Sequence, residues 1–167
     1  MNDTAAIFDQ DLALHRDVER LLHHEARLLD TAHFAEWLTL FTADGLYWAP
    51  STPGQTDPLG VPSIMYEDLG ILSMRVRRLA EARALVMTPM PRTTHLVGNI
   101  DVVSSGHAGI EADAAFIVVE YHDGRQRLFS GRYRYNLRRV DTGLRIALKR
   151  VDLLDCDGTH GPITVPL

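Results

Sequence analysis

Four strand-forming runs fill the second half of the chain, and they constrain its fold more than any other feature. They cover residues 95–103, 110–121, 128–140 and 144–155, and are separated by Gly106-His-Ala-Gly109, His122-Asp-Gly124 and Asp141-Thr-Gly143. Asp-Gly and Asp-x-Gly turns accept positive φ and join consecutive antiparallel strands. In the last run the apolar parity goes Leu144, Ile146, Leu148 and then slips to Val151 and Leu153. A period-two pattern that slips by one residue predicts a β-bulge, which bends a long sheet.

The first half supplies the cover that a sheet with one apolar face needs. Leu14, Val18, Leu21, Leu22, Leu28 and Leu29 recur at helical spacing over residues 12–29. Asp30 or Thr31 can cap a shorter second helix that turns Phe34, Trp37, Leu38 and Phe41 inward. Asp44-Gly45 then leads into a short strand at 46–49, which Pro50 ends. Residues 50–65 hold Pro50, Pro53, Pro58 and Pro62 with Gly54 and Gly60, and read as an extended loop within the domain. A third helix is predicted over 67–81, with Leu69, Leu72, Val76 and Leu79 inward. The whole, residues 1–167, reads as one α+β domain: helices packed on a strongly curved, mainly antiparallel sheet, preceded by a flexible stretch at 1–11.

Composition narrows the function. The net charge of -5 argues against nucleic-acid binding as the main task. No apolar stretch is long enough to span a bilayer, and Met1-Asn-Asp-Thr4 lacks the basic-then-apolar form of a signal peptide. The expected compartment is the cytoplasm, and the single Cys156 fits a reducing one. Lys149 is the only lysine; every other basic residue is arginine. That bias suits bidentate interface pairs, and a GC-rich genome explains it equally well.

Several motifs occur in a fixed order: Glu25-Ala-Arg-Leu-Leu-Asp30, Phe41-Thr-Ala-Asp-Gly-Leu-Tyr-Trp48 with Pro50, Tyr66-Glu-Asp68, Arg75-Val-Arg-Arg-Leu79, Pro91-Arg-Thr-Thr-His95 and Gly131-Arg-Tyr-Arg-Tyr-Asn-Leu-Arg-Arg-Val140. Together they resemble the small (β) subunit of aromatic-ring-hydroxylating dioxygenases, over residues 18–155. The resemblance implies an NTF2-like (SnoaL-like) cone and a subunit without a catalytic site of its own. It further implies a catalytic α subunit as partner, carrying a Rieske [2Fe-2S] cluster and a mononuclear iron, in a trimer of αβ pairs. Two stretches depart from the family's pattern: Val86–Arg92 lacks an acidic-Pro-Pro sequence, and the tail Ile163-Thr-Val-Pro-Leu167 lacks an aromatic ending.

The residues themselves support this division of labour. A Rieske centre takes two cysteines and two histidines, more thiolate than one Cys156 provides. A mononuclear iron site takes two histidines and a carboxylate facing one point. His15, His23, His24, His33, His95, His107, His122 and His160 contain no i, i+4 pair and no HExxH. His23 and His24 are adjacent on a helix and point about 100° apart. No metal or cofactor is therefore expected on this chain. Cys156 stands between Asp155 and Asp157, whose charges disfavour a thiolate.

Glu25 is the most unusual position. Measured from Val18 it falls at about -20°, between Leu21 and Leu29, in the centre of the apolar stripe. An inward carboxylate needs a partner, and Arg132 or Arg134 is the expected one. The other reading makes Glu25 a general acid or base in the cone, with Asp44, Tyr47 and His95 completing a set. His95 opens a strand and is expected to share a face with Val97, Asn99 and Asp101; alternatively it is a hydrogen-bonded histidine at a rim or interface. Arg75, Arg77 and Arg78 offset the dipole of a helix C-terminus, and could equally dock an acidic partner. A stand-alone isomerase, dehydratase or cyclase, or a small-ligand binding module, is the alternative to the β subunit.

Overall fold

Asp123 and Gly124 both sit at positive φ, 50° and 73°, in the computed structural model, which describes residues 3–81, 89–107, 109–159 and 161–167. Asp tolerates that region and Gly enters it freely, so the turn closes as its residues favour. The elements run α1 Asp3–Asp30, α2 Phe34–Leu38, β1 Phe41–Ala49, β2 Met65–Asp68, α3 Leu69–Glu81, β3 Arg92–Gly106, β4 Gly109–His122, β5 Arg125–Val140 and β6 Gly143–Leu153. The strands form one open sheet in the order β2-β1-β6-β5-β4-β3. Every neighbouring pair is antiparallel except β1 and β6, which run parallel. α1 lies over β3 and β6, and α3 over β1, so the helices cover one face. This is the expected α+β, NTF2-like architecture.

Local details differ from the sequence reading, each for a visible reason. α1 begins at Asp3, so residues 3–11 extend the helix where a flexible stretch was expected. Its C-terminus closes with Ala32 at φ 56°, the His33 amide donating to the Leu28 carbonyl at 2.8 Å and the Ala32 amide to Leu29 at 3.1 Å. That two-bond cap satisfies the last carbonyls and leaves Asp30 free. Neither Asp30 nor Thr31 caps α2; the N-cap is His33, without a side-chain bond. Phe41 opens β1 instead of ending a helix, and β1 runs through Asp44-Gly45 with a register shift between Phe41 and Leu46. β2 takes residues 65–68, so α3 starts two residues later than periodicity predicts. The 50–64 loop is pinned by Gln55, whose Nε2 donates to Asp57 and Val61 carbonyls at 3.0 Å, and by Trp48 Nε1 donating to Ser63 Oγ at 2.9 Å.

Two bulges decide which side chains face the helices. In β6, Ile146 pairs with Leu137 and Leu148 with Asn136, which leaves Ala147 as the extra residue. Inward positions therefore run Leu144 and Ile146, then Lys149, Val151 and Leu153. In β3 the register skips between Gly98 and Asp101, with Asn99 at φ 50°. His95 and Val97 point inward, but Asn99 and Asp101 are exposed, and Ile100 and Val102 replace them on the inner face. The core that results gathers Val18, Leu22, Trp37, Phe116, Val118, Tyr133, Leu137, Ile146 and Val151 under the helices. Although it lacks an aromatic residue, the tail docks on this same chain. Leu167 is buried, and its carbonyl accepts from the Tyr47 hydroxyl while its amide donates to it, both at 3.1 Å.

Candidate functional site

The inward face of α1 places Glu25 in the core at 1% exposure, as its helical angle predicts. Its partners are not Arg132 or Arg134, which stand on the opposite, exposed face of β5. Lys149 Nζ donates to Glu25 Oε1 at 2.9 Å, Trp37 Nε1 donates to the same oxygen at 2.9 Å, and the Tyr135 hydroxyl donates to Oε2 at 2.7 Å. The β6 bulge is what turns the sole lysine inward. Burial pulls the Lys149 ammonium below its ordinary value, and the adjacent Glu25 carboxylate opposes that pull. The ammonium also lies 4.4 Å from the Tyr133 ring centroid, within cation–π range. Burial first, and the charge of Glu25 second, push the Tyr135 hydroxyl well above its ordinary range, so it remains a neutral donor. Tyr47 is buried beside this cluster, 6.2 Å from Trp37 ring to ring, and burial raises its pKa as well.

A second polar centre joins the end of α1 to β3. Asp30 accepts from the His95 backbone amide at 3.0 Å and from Thr93 Oγ1 at 3.1 Å, and lies 2.6 Å from His95 Nδ1. Burial pushes the Asp30 carboxyl up, yet the side-chain and backbone bonds from His95 outweigh it and hold it below its ordinary value. The His95 side chain is 1% exposed. Its Nε2 and the Tyr133 hydroxyl are buried with no hydrogen-bond partner among the described residues.

The four residues of the acid–base set do not converge. Glu25 and Tyr47 share the buried cluster, while His95 belongs with Asp30. Asp44 is exposed on β1, where Arg138 Nη1 donates to both of its oxygens at 2.8 Å. That bond, then one from Thr42, holds the Asp44 carboxyl below its usual range. Arg75 is bidentate on the buried Glu67, whereas Arg77 and Arg78 are exposed. Burial, then the charges of Asp157 and Asp152, raise the Cys156 thiol. Among the described residues, no three of His, Cys, Asp and Glu are grouped to hold a metal ion, and no helix is long and apolar enough to cross a membrane.

Sequence reasoning missed Lys149, Trp37, Tyr135 and Asp30 as functional neighbours. A signal existed for Lys149, because the parity slip toward Val151 and Leu153 puts residue 149 on the inner face.

The family described as "Ring hydroxylating beta subunit" matches residues 24–157 of this chain. The small oxygenase component of the p-cumate 2,3-dioxygenase system of Pseudomonas putida is 38% identical over 154 residues, covering 90% of this chain and 86% of that protein. The 2-halobenzoate 1,2-dioxygenase small subunit of Burkholderia cepacia is 31% identical, covering 89% of this chain and 93% of that one. Among solved structures, the β subunit of the benzoate 1,2-dioxygenase of Burkholderia mallei superposes with a TM-score of 0.71 at 25% identity, covering 83% of this chain and 89% of that one. With the cone, the motif order and these relatives in agreement, this chain belongs to the β-subunit family of ring-hydroxylating dioxygenases.

Proposed function

We propose that this chain is the non-catalytic β subunit of a Rieske-type terminal oxygenase, bracing catalytic α subunits in a cytoplasmic trimer of αβ pairs. The α subunit carries the Rieske [2Fe-2S] cluster and the mononuclear iron, and NAD(P)H supplies the electrons through a transfer chain. The substrate is an aromatic ring. Aromatic carboxylates are the favoured class, since p-cumate and 2-halobenzoate name the reactions of two relatives.

The observation that carries the scaffold reading is the state of Glu25. Its carboxylate is fully enclosed and already accepts three charge-assisted or neutral bonds from fixed donors. A group committed in that way holds α1 to α2, β5 and β6; it does not take protons from a substrate. One observation favours a second reading, a pocket enzyme: the enclosed His95 Nε2 and Tyr133 hydroxyl lack partners among the described residues.

The scaffold reading has a direct test. The purified chain alone is expected to carry no stoichiometric iron and to leave benzoate-type substrates unchanged. Co-expressed with the Rieske-type α subunit of its own genome, it is expected to co-purify at one β per α. Iron in stoichiometric amount on the isolated chain with a Rieske absorption spectrum, or failure to hold α, would contradict it.

A further inference from the structure

An open groove of about 630 Å³ runs between α1 and the β5–β6 turn. Its α1 wall is a single helical stripe, with Asp17, Arg20, His24 and Arg27 at i, i+3, i+7 and i+10. At 100° per residue these four fall within about 80° of one another. Arg145, just after the turn, lines the groove from the sheet side. The buried Leu21, Leu40 and Leu144 close its inner side. The Ile146 amide donates to the Leu40 carbonyl at 2.8 Å, which ties that wall to β6.

Three guanidiniums thus share one concave surface with a single carboxylate, on a chain whose net charge is -5. Elsewhere Arg75, Arg127, Arg138 and Arg150 each hold a carboxylate. Arg20, Arg27 and Arg145 form no ion pair among the described residues. The acid nearest the groove's histidine is Glu36, 4.0 Å from His24 Nε2, which is long for an ion pair. Arg145 is held in place, its Nη1 donating to the Leu144 carbonyl at 3.3 Å and its Nη2 to Thr142 Oγ1 at 3.2 Å. Those bonds use two of its five N–H donors and leave the others for a ligand.

We propose that this groove binds a small polyanion, a molecule carrying two or more phosphoryl or carboxylate groups, with Arg20, Arg27 and Arg145 as its ligands. A cleft lined by one sign of charge concentrates its counter-ions, and the repulsion among its own cations is relieved when one binds. The guanidinium fork matches carboxylate and phosphoryl oxygens two at a time. Arg20 and Arg27 leave the helix about 10 Å apart along its axis, so a ligand with two anionic groups uses the whole stripe and one with a single group does not. Such a site lies outside the scaffold role and does not depend on it.

The experiment is calorimetric titration of the purified full chain with inorganic pyrophosphate and, separately, with citrate, with benzoate as the single-charge comparison. At least one polyanion is expected to bind saturably at one site per chain, and benzoate at least about tenfold more weakly. Binding of pyrophosphate alone would assign a phosphoryl ligand, and binding of citrate alone a carboxylate. Arg20→Gln with Arg27→Gln, both at exposed positions, is expected to weaken the binding at least about tenfold while leaving the melting temperature unchanged. Arg145→Gln is expected to weaken it from the sheet side. Arg132→Gln removes the same charge from the exposed face of β5, and is expected to leave affinity within about twofold, since distant exposed charges are screened. Failure of both polyanions to bind, or equal affinity in the folded groove variants, would overturn the proposal. So would benzoate binding as tightly as the polyanions, or an equal loss in Arg132→Gln.

Discussion

Replacing Glu25 with Ala is expected to cost about 3–5 kcal/mol of folding stability, the usual penalty for removing one partner of a buried ion pair. Lys149 is 1% exposed and would keep its charge without a counter-ion, or lose it at a cost. Trp37 Nε1 and the Tyr135 hydroxyl would lose their acceptor at the same time. For a chain of this size the melting temperature should fall by roughly 10 °C. The Glu25→Leu, Lys149→Met double variant separates charge from packing. With both charges gone, it should be more stable than Glu25→Ala despite the two orphaned donors. Thermal unfolding followed by circular dichroism checks both variants; an unchanged melting temperature for Glu25→Ala would show that the pair does not hold the core.

Gly131→Ala is the second large effect, and its cause is backbone contact. Gly131 stands opposite Leu153 on β6 and Phe116 on β4. A methyl group built there overlaps the Asp152 carbonyl oxygen and comes within 3.1 Å of Leu153 Cα. These are main-chain atoms, so β5 and β6 would have to part, unlike a case where a flexible side chain gives way. Phe116, in register with Gly131 on β4, stacks on Tyr133 at 4.1 Å and 8°. The expected loss is about 3 kcal/mol, at the upper end for overpacking. Gly98→Ala is the control, because nothing lies within 4 Å of its added methyl. Equal melting temperatures for the two variants would contradict this account of β5–β6 packing.

Much of the fold was legible because the strongest signals were local. The turns at Asp123-Gly124 and Asp141-Thr-Gly143 mark their hairpins through backbone preference, and the stripe from Val18 to Leu29 marks α1 and its inward carboxylate. The β6 bulge was legible as well, and the same parity slip carries Lys149 to the inner face. What the pattern could not supply came from tertiary contacts. β2 is four residues long and exists because Met65, Tyr66, Glu67 and Asp68 pair with β1. Asp30 resembles a helix cap in sequence, but Ala32 closes α1 by itself and the carboxylate goes to His95, 65 residues away. Arg132 and Arg134 suit Glu25 by charge alone; alternation along β5 sends them outward and turns Tyr133 and Tyr135 inward. Asp44, Tyr47 and His95 share only residue types suited to proton transfer: the fold leaves Asp44 exposed with Arg138, Tyr47 beside Trp37 and His95 on Asp30.

The central claim is that this chain supports catalysis without performing it, and His95 tests it most directly. Its side chain is enclosed, bound to Asp30 through Nδ1 and unpartnered at Nε2 among the described residues, which makes it the best-placed candidate for proton transfer among them. The measurement is ring dihydroxylation by the α subunit assembled with wild-type or His95→Ala chain, with complex formation quantified in the same samples. If His95 only ties β3 to α1, turnover per assembled complex should stay within roughly tenfold, and any loss should follow assembly. General acid–base catalysis contributes about 10²–10⁴-fold. A fall beyond roughly a hundredfold in fully assembled complex would contradict the scaffold account and place chemistry on this subunit.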